Sequence, residues 1–268
     1  MTATRLLTWF NLLPVWRRQV RVWGSRLQSI TFDRYLYLHL HCAGWMGREE
    51  KDFFERRIHP GMHVLDIGAN LGLYTVLFSR LVGESGWVTA IEPDPELFET
   101  LKTNCQINSL SNVTLYNVAA GSSSSVGVLA RSLVNAGDSR MSPGHASELR
   151  RSVEVRVVTI DEIAAGERVD FIKIDVQGWE GEVIRGMHQV LTYNPAVQIR
   201  FEYWPYGLRA AGSDPIALLG ALENYGFQVW PVAEPRSGPI TDFSKLSGLS
   251  GKGYTNLFAV RDAANPSN

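Results

Sequence analysis

Cysteine is scarce in this chain. Only Cys42 and Cys105 occur among its 268 residues, which leaves no disulfide framework and no closely spaced pair that could hold a metal ion. We therefore expect a reduced, cytoplasmic setting for the protein.

Long apolar runs are also missing. No run reaches the ~18 residues that a membrane-spanning helix needs, so we predict no transmembrane segment. The apolar stretch from Leu6 to Trp16 lacks the charged start, the long core and the small-residue cleavage site of a signal peptide. Because arginines follow it, this stretch could make a peripheral contact with a membrane surface. Packing of the stretch on its own domain is the interpretation that we favour.

Neither sign of charge dominates the sequence. The 26 basic and 27 acidic residues give a formal net charge of −1. Proteins that bind nucleic acid usually present a basic surface, because they must neutralise phosphates. We therefore predict no nucleic-acid partner.

Alternating strand and helix patterns begin at residue 62. Such alternation predicts a doubly wound α/β fold with a mainly parallel sheet that helices cover on both faces. The last two strand patterns have no helix between them, which predicts a C-terminal antiparallel hairpin and a total of seven strands. The strand patterns occupy residues 62–67, 87–91, 113–119, 169–176, 196–203, 227–232 and 256–260.

The N-terminal part of the chain lacks this alternation. It is rich in Trp, Arg, Leu and Tyr, and residues 35–41 alternate loosely, like a strand. We interpret residues 1–50 as an N-terminal α/β cap or lid, and residues 51–268 as the main domain. The tip of the polar segment 122–151 is expected to be a loop over the site.

A glycine-rich turn follows the first strand pattern. Gly68 and Gly72 come directly after Ile67, and a helical pattern begins there. Glycine lets a ligand approach the backbone closely, and a helix start offers free N–H groups. The turn matches neither G-x-G-x-x-G nor the phosphate loop, and Asp66 would repel a pyrophosphate. An acid suits a cationic ligand, and D-x-G-x-x-x-G resembles the first motif of Rossmann-like S-adenosylmethionine (SAM) methyltransferases.

A second acid, Glu92, stands at the end of the next predicted strand. In doubly wound sheets the acid that closes this strand hydrogen-bonds the ribose of a bound nucleoside. Asp175 and Glu202 follow two later strand patterns. Carboxylates next to apolar strands are costly unless they are paired or in use, so the pattern predicts one polar site at this edge of the sheet.

The segment K-I-D-V-Q-G-W-E at residues 173–180 completes a family resemblance. Together with the Val64–Gly72 turn, Glu92-Pro93-Asp94 and Asn117-Val118-Ala119, it resembles the FkbM family of SAM-dependent methyltransferases. The resemblance implies a Rossmann-like fold, SAM as the cofactor, and methyl transfer to a hydroxyl of a sugar, a glycolipid or a polyketide-type natural product. Gln177 stands where many relatives carry an acid, and Trp179 stands where a histidine is common. These two departures bear on the acceptor more than on the cofactor.

The resemblance and the strand-end rule together give the predicted site. Asp175 and Glu202 are the candidates for the general base that takes the proton of the acceptor hydroxyl. The predicted cofactor-binding residues are Asp66, Gly68, Ala69, Asn70, Gly72, Tyr74, Thr75, Glu92, Pro93, Asp94, Asn117, Ala119 and Asp175. The predicted acceptor-binding residues are His145, Trp179, Tyr203 and Trp204.

Several alternatives stay open. Asp175 and Glu202 could hold Mg²⁺, which takes oxygen ligands, but no third ligand is obvious and we predict no metal site. His145 is a second candidate base. The chain could also be a non-catalytic SAM-binding or interaction protein, or a nucleotide-dependent oxidoreductase, which the turn disfavours. Residues 1–50 could close over the site or pair with another subunit of a homo-oligomer.

Overall fold

The computed structural model describes residues 19–29, 47–132, 135–142, 150–233, 238–243, 246 and 253–261. The strands in these ranges are β1 (Gln19–Val22), β2 (Ser25–Gln28), β3 (His63–Ile67), β4 (Trp87–Ile91), β5 (Val113–Tyr116), β6 (Ala119–Ala120), β7 (Ser125–Ser132), β8 (Arg140–Ser142), β9 (Arg150–Val158), β10 (Phe171–Ile174), β11 (Gln198–Tyr203), β12 (Gln228–Pro231) and β13 (Thr255–Val260). The helices are α1 (Arg48–Arg57), α2 (Leu73–Val82), α3 (Pro95–Ile107), α4 (Ile160–Ala164), α5 (Glu180–Arg185), α6 (His188–Tyr193), α7 (Pro205–Ala210) and α8 (Pro215–Asn224), with a short 3₁₀ turn at Ala136–Asp138.

The central sheet has seven strands in the order β12-β13-β11-β10-β3-β4-β5. The neighbours from β5 to β11 pair in parallel, whereas β13 is antiparallel to both β11 and β12. The predicted seven strands and C-terminal antiparallel pair are therefore confirmed, but β13 lies inside the sheet and β12 forms the edge. The chain runs outward from β3 to β5 and returns to β10 on the other side of β3. The carboxyl ends of β3 and β10 thus flank the switch point at which open α/β sheets bind ligands.

The two faces of this sheet differ in character along its strands. On one face Ile172 and Phe201 belong to a large apolar core that α5, α6 and α8 complete. On the other face Phe171 packs with Phe54 and other apolar side chains of α1 and α2. Lys173, two residues further along β10, points to this same face, because side chains alternate along a strand. That face is therefore apolar at the amino ends of the strands and charged at their carboxyl ends.

The described part of the N-terminal segment includes a β-hairpin docked on the main domain. Val20, Val22 and Leu27 pack with apolar side chains of α2 and α3. Asn104 on α3 fixes the hairpin, because it accepts a hydrogen bond from the Gln28 amide (2.7 Å) and donates to the Gln28 carbonyl (3.0 Å). Helix α1 crosses the predicted boundary between residues 50 and 51. The predicted strand at 35–41 lies outside the described residues, and the division into cap and main domain stays a prediction.

Most of the described residues of the polar segment 122–151 form strands, and the tip that was expected to be a loop lies outside the described residues. Strands β7, β8 and β9 form a second sheet with β6, in the order β6-β9-β7-β8. Eight residue pairs join β7 to β9 in antiparallel register, and Leu129, Met141 and Val155 form a small core between strands. In β7 and β8, serine, glycine and arginine on the other positions concealed this apolar alternation in the sequence. His145 and the rest of residues 143–149 lie outside the described residues.

The predicted helix at 180–191 is divided into α5 and α6. The break falls at Gly186, where a Cβ atom would lie 2.0 Å from the carbonyl oxygen of Gly121. Only glycine allows the two backbones to approach so closely. This contact links the helix pair to the second sheet. Within the described residues, no helix combines the length and the apolar character that crossing a bilayer requires.

Removing the Asn104 side chain should loosen the hairpin. Asn104→Ala leaves the Gln28 amide and carbonyl and the Leu71 carbonyl without their partner. We expect the free energy of unfolding to fall by about 1–3 kcal/mol, the cost of unsatisfied buried polar groups. Urea denaturation measures this change. Thr103→Ala, one position away on α3, should change stability by less than about 0.5 kcal/mol, and equal effects of the two substitutions would contradict the role of Asn104.

Candidate active site

A cavity of about 870 Å³ opens at the carboxyl ends of β3, β4, β10 and β11. This volume lies in the range of small-molecule and cofactor sites. The second sheet contributes Leu129, Arg140 and Met141 to the lining, so the polar segment between β5 and β10 supplies a wall of the site. Helix α1 contributes Glu50.

The glycine-rich turn uses its own amide groups within the protein. Gly68, Asn70 and Gly72 have φ angles of +76°, +54° and +93°, and a Cβ atom on Gly68 would lie 1.9 Å from the Asp175 carbonyl oxygen. The amides of Gly68 and Ala69 donate to Ile91 O (both 3.0 Å), that of Asn70 to Glu92 Oε2 (2.8 Å), that of Leu71 to Asn70 Oδ1 (2.8 Å) and that of Gly72 to Ala69 O (2.9 Å). Phosphate loops leave such amides free for the phosphate oxygens. This turn therefore fits a ligand without phosphate.

Glu92 is fixed at the mouth of this turn. Its carboxylate accepts hydrogen bonds from the amides of Asn70 and Asp94, at 2.8 and 2.9 Å. Burial raises the pKa of Glu92 to about 7 against these two stabilising bonds. Asp94 caps α3, and Asn117 donates to the carbonyls of Glu92 and Pro93. Glu92 and Pro93 line the cavity, whereas Asp94 and Asn117 hold their backbone in place.

Asp66 does not line the cavity, although the sequence interpretation placed it against the ligand. Its side chain is fully buried. One oxygen forms an ion pair with Lys173 Nζ at 3.2 Å, and the other accepts a hydrogen bond from the Thr75 hydroxyl at 2.6 Å. Lys173 also donates to the Gly68 carbonyl at 3.2 Å. Asp66 and Thr75 thus act below the turn, where they fix Lys173 and the start of α2.

Two carboxylates meet at the ends of β10 and β11, as the strand-end rule predicts. The Gln177 amide nitrogen donates to Asp175 Oδ1 at 3.0 Å and to Glu202 Oε2 at 3.1 Å. Burial, followed by repulsion from Asp175 and Glu180, raises the pKa of Glu202 to about 8. A carboxyl group with this pKa is a stronger base than an ordinary one and still ionises near neutral pH. The sequence interpretation missed the bridging role of Gln177.

Glu180 shapes the loop that carries these groups. It is fully buried, and its carboxylate accepts from the amides of Val176 and Gly178, both at 3.2 Å. Burial raises the pKa of Glu180 to about 7. Glu180, the last residue of the K-I-D-V-Q-G-W-E segment, therefore stabilises the loop. The motif included this residue, but the sequence did not indicate its role.

A second group of charges lies between α1 and the sheet. Arg200 on β11 is 3% exposed and forms an ion pair with Glu50 of α1. The Tyr74 hydroxyl donates to the same carboxylate. Arg200, Glu50 and Tyr74 all line the cavity. Sequence reasoning named only Tyr74, because the pairing of Glu50 with Arg200 joins positions 150 residues apart.

The structure brings together most of the predicted site. The predicted residues that line the cavity are Gly68, Ala69, Asn70, Tyr74, Glu92, Pro93, Ala119, Asp175, Trp179, Glu202 and Trp204. Those absent from the lining are Asp66, Gly72, Thr75, Asp94, Asn117 and Tyr203. Tyr203 is fully buried on the opposite face of β11, within the large core. Among the described residues, no three His, Cys, Asp or Glu side chains form a group that could hold a metal ion.

Comparison with known families identifies the domain. Residues 66–229, more than half of the chain, match the family model described as "Methyltransferase FkbM domain". The chain belongs to the FkbM methyltransferase family. The match confirms the resemblance drawn from the sequence, and it extends from the end of β3 to the start of β12, with the whole second sheet between them.

Individual proteins resemble parts of the FkbM domain. It is 40% identical over 74 residues to the protein-L-isoaspartate O-methyltransferase of Methanococcus maripaludis, which covers 28% of this chain and 32% of that protein. It is 25% identical over 159 residues to Methyltransferase 1 of Beauveria bassiana, covering 51% and 64%. Both alignments span less than two thirds of the relative. A solved SAM-dependent methyltransferase from Aquifex aeolicus has a TM-score of 0.43 and 19% identity, over 79% of this chain and 88% of that one.

The buried glutamates should make the stability of the FkbM domain depend on pH. The pKa values of Glu92, Glu180 and Glu202 are raised from 4.5 to about 7, 7 and 8. The folded protein keeps protons that the unfolded chain releases in this window, so the free energy of unfolding should fall as the pH rises through it. Urea denaturation of the protein without ligand at about pH 5 and pH 8 measures the fall.

Glu202→Gln should reduce this pH dependence, because the amide has no proton to release. Glu223→Gln, at an exposed position of α8, controls for the loss of one negative charge. A free energy of unfolding that rises with pH in the wild-type protein would contradict the raised pKa values of these three glutamates.

Proposed function

We propose that this FkbM domain is a SAM-dependent O-methyltransferase. The observation that carries the proposal is that Glu92 and the glycine-rich turn, whose amides donate within the protein, share one cavity with the carboxylate pair Asp175 and Glu202. Membership of a methyltransferase family supports the same reaction class. SAM supplies an electrophilic methyl group on a sulfonium when it is bound.

The residues present fit this cofactor. Glu92 offers carboxylate oxygens to ribose hydroxyls, as the acid at the end of the second strand does in doubly wound folds. The turn has no free amide for a phosphate between residues 68 and 72. This arrangement argues against a dinucleotide and hence against the nucleotide-dependent oxidoreductase.

Glu202 is the base that we assign to the reaction. A hydroxyl acceptor loses its proton as oxygen attacks carbon, and a carboxylate within hydrogen-bond reach can accept that proton. Glu202 is 8% exposed and lines the cavity, so it reaches an acceptor without being solvated. Gln177 donates to both carboxylates and thereby fixes their positions. Asp175 is left to contact the cofactor, and His145 is the next candidate base.

The acceptor that we propose is a hydroxyl of a sugar, a glycolipid or a polyketide-type natural product. Trp179, Trp204, Tyr206 and Tyr254 line the cavity, and Tyr206 and Tyr254 are 54% and 61% exposed. Aromatic rings at a cavity mouth bind the faces of sugars and other partly apolar groups. Gln177 and Glu202, which also line the cavity, would then form hydrogen bonds with the hydroxyls of the acceptor. Nucleic acid is not part of this proposal, and a cytoplasmic setting, a membrane contact of the N-terminus and a homo-oligomer stay predictions.

A non-catalytic SAM-binding protein is the main competing proposal. It predicts cofactor binding without turnover. Release of S-adenosylhomocysteine in the presence of a panel of hydroxylated glycans and glycolipids distinguishes the two. Addition of EDTA and Mg²⁺ to the same assay tests the metal-assisted alternative, in which Asp175 and Glu202 would hold the ion.

Glu92→Gln should weaken SAM binding. Ribose hydroxyls donate to the ionised carboxylate, so wild-type affinity should rise with pH as Glu92 ionises near its pKa of about 7. The amide has one acceptor oxygen and does not ionise, so we expect a loss of about tenfold or more and little pH dependence. Isothermal titration at about pH 6 and pH 8 measures both effects. Unchanged affinity would contradict the ribose role, and Glu84→Gln, outside the cavity lining, serves as the matched control.

Glu202→Gln should abolish most of the methyl transfer while SAM still binds. Removal of a general base lowers kcat by about 10²–10⁴-fold. In the wild-type enzyme the rate should rise with pH through about 8, because only the ionised carboxylate of Glu202 accepts a proton. Glu182→Gln on α5 controls for a glutamate outside the cavity. Full turnover by Glu202→Gln would move the base to another residue.

A further inference from the structure

Arg200 carries hydrogen-bond donors that the described residues leave unused. Its Nη2 atom pairs with Glu50, but Nε and Nη1 have no hydrogen-bond partner in the described part of the chain. Nη1 lies 4.0 Å from Asp175 Oδ2, which is beyond hydrogen-bond distance. A buried guanidinium with unsatisfied donors is costly, and an anion within reach would satisfy them.

Lys173, the neighbouring buried cation, is already occupied. In the parallel register of the sheet, Lys173 on β10 stands beside Asp66 on β3 and beside Arg200 on β11. Its ammonium is bound by the Asp66 carboxylate and the Gly68 carbonyl. Both cations line the cavity, and of these two it is Arg200 that has unpartnered donors.

The surroundings of Arg200 suit a group that carries both charges. Asp175 and Glu50 are 30% and 22% exposed at their side chains, and both line the same part of the cavity. An ammonium could bind these carboxylates while a carboxylate binds the guanidinium. An α-amino acid presents this pair of charges on one carbon atom.

The position of Arg200 relative to Glu92 fits a single extended ligand. Glu92 directly follows β4, and its carboxylate accepts from the Asn70 amide in the turn that follows β3. Arg200 begins on β11, but its guanidinium lies beside Asp175, which follows β10. Strands β3 and β10 are neighbours, about 4.8 Å apart. The Glu92 carboxylate and the Arg200 guanidinium therefore lie on opposite sides of the switch point.

We infer that Arg200 and Asp175 form the subsite for the amino-acid end of the cofactor, with Arg200 binding its carboxylate and Asp175 its ammonium. The inference depends on the proposed function, because it assigns one end of the same cofactor. Glu50 is a positioning residue here, since it holds the guanidinium from the side of α1.

Two ligands that differ only in this end test the inference. S-Adenosylhomocysteine carries the amino-acid tail, whereas 5′-methylthioadenosine has the same nucleoside and sulfur without it. Isothermal titration of both with the full chain should give tighter binding of S-adenosylhomocysteine to the wild-type protein. Arg200→Gln should weaken S-adenosylhomocysteine by about 10- to 100-fold, as expected when hydrogen bonds to a charged group are lost, and should change 5′-methylthioadenosine by less than about threefold.

Two further variants separate charge from structure. Arg200→Lys keeps the positive charge and should restore part of the preference for S-adenosylhomocysteine. Arg185→Gln, at a surface ion pair with Glu182, should leave both affinities unchanged. Equal weakening of the two ligands by Arg200→Gln would show a structural role and overturn the inference, as would an unchanged preference. A folded wild-type protein that binds neither ligand would instead contradict the proposed function itself.

Discussion

The buried ammonium of Lys173 is the contact on which the site depends. It joins Asp66 below the turn to the Gly68 carbonyl within it, and it stands beside Arg200 in the sheet. Burial lowers the pKa of a lysine, but the carboxylates of Asp66 and Asp175 outweigh burial here, and the net pKa of Lys173 is raised. The group therefore stays charged in the interior. Removal of either partner would leave an uncompensated charge, which is far costlier than loss of the pair.

The glycine-rich turn shows how local geometry selects a class of ligand. Its positive φ angles and the approach of Gly68 to the Asp175 backbone resemble features of phosphate-binding loops. In this chain, however, the amides of residues 68 to 72 donate to protein acceptors, including the Glu92 carboxylate. The turn therefore acts as a rigid surface that positions Glu92. Specificity for a ligand without phosphate follows from where these hydrogen bonds go.

The cavity combines several carboxylates with the two buried cations Lys173 and Arg200. Burial raises the pKa of Glu202, and the Gln177 amide holds the carboxylates of Glu202 and Asp175 together by donating to both. The sheet face that packs on α1 and α2 is thus apolar at the amino ends of its strands and charged at their carboxyl ends. The second sheet adds Arg140 and Met141 to the wall, so the segment between β5 and β10 lines part of the cavity.

Local sequence patterns were sufficient to predict the sheet, the turn and the acids at the strand ends. Apolar runs and their alternation with helices depend on neighbouring residues, so β4 and α3 were predicted at their observed bounds, and Glu92, Asp175 and Glu202 were expected to meet because parallel strands end at one edge. Contacts between distant segments determine which acids line the cavity. Asp66 turns to Lys173, and Arg200 pairs with Glu50, 150 residues away. Such contacts also determine that polar residues after β5 form a second sheet. These contacts form between segments that are distant in the sequence. A local sequence pattern depends only on neighbouring residues and therefore cannot predict them.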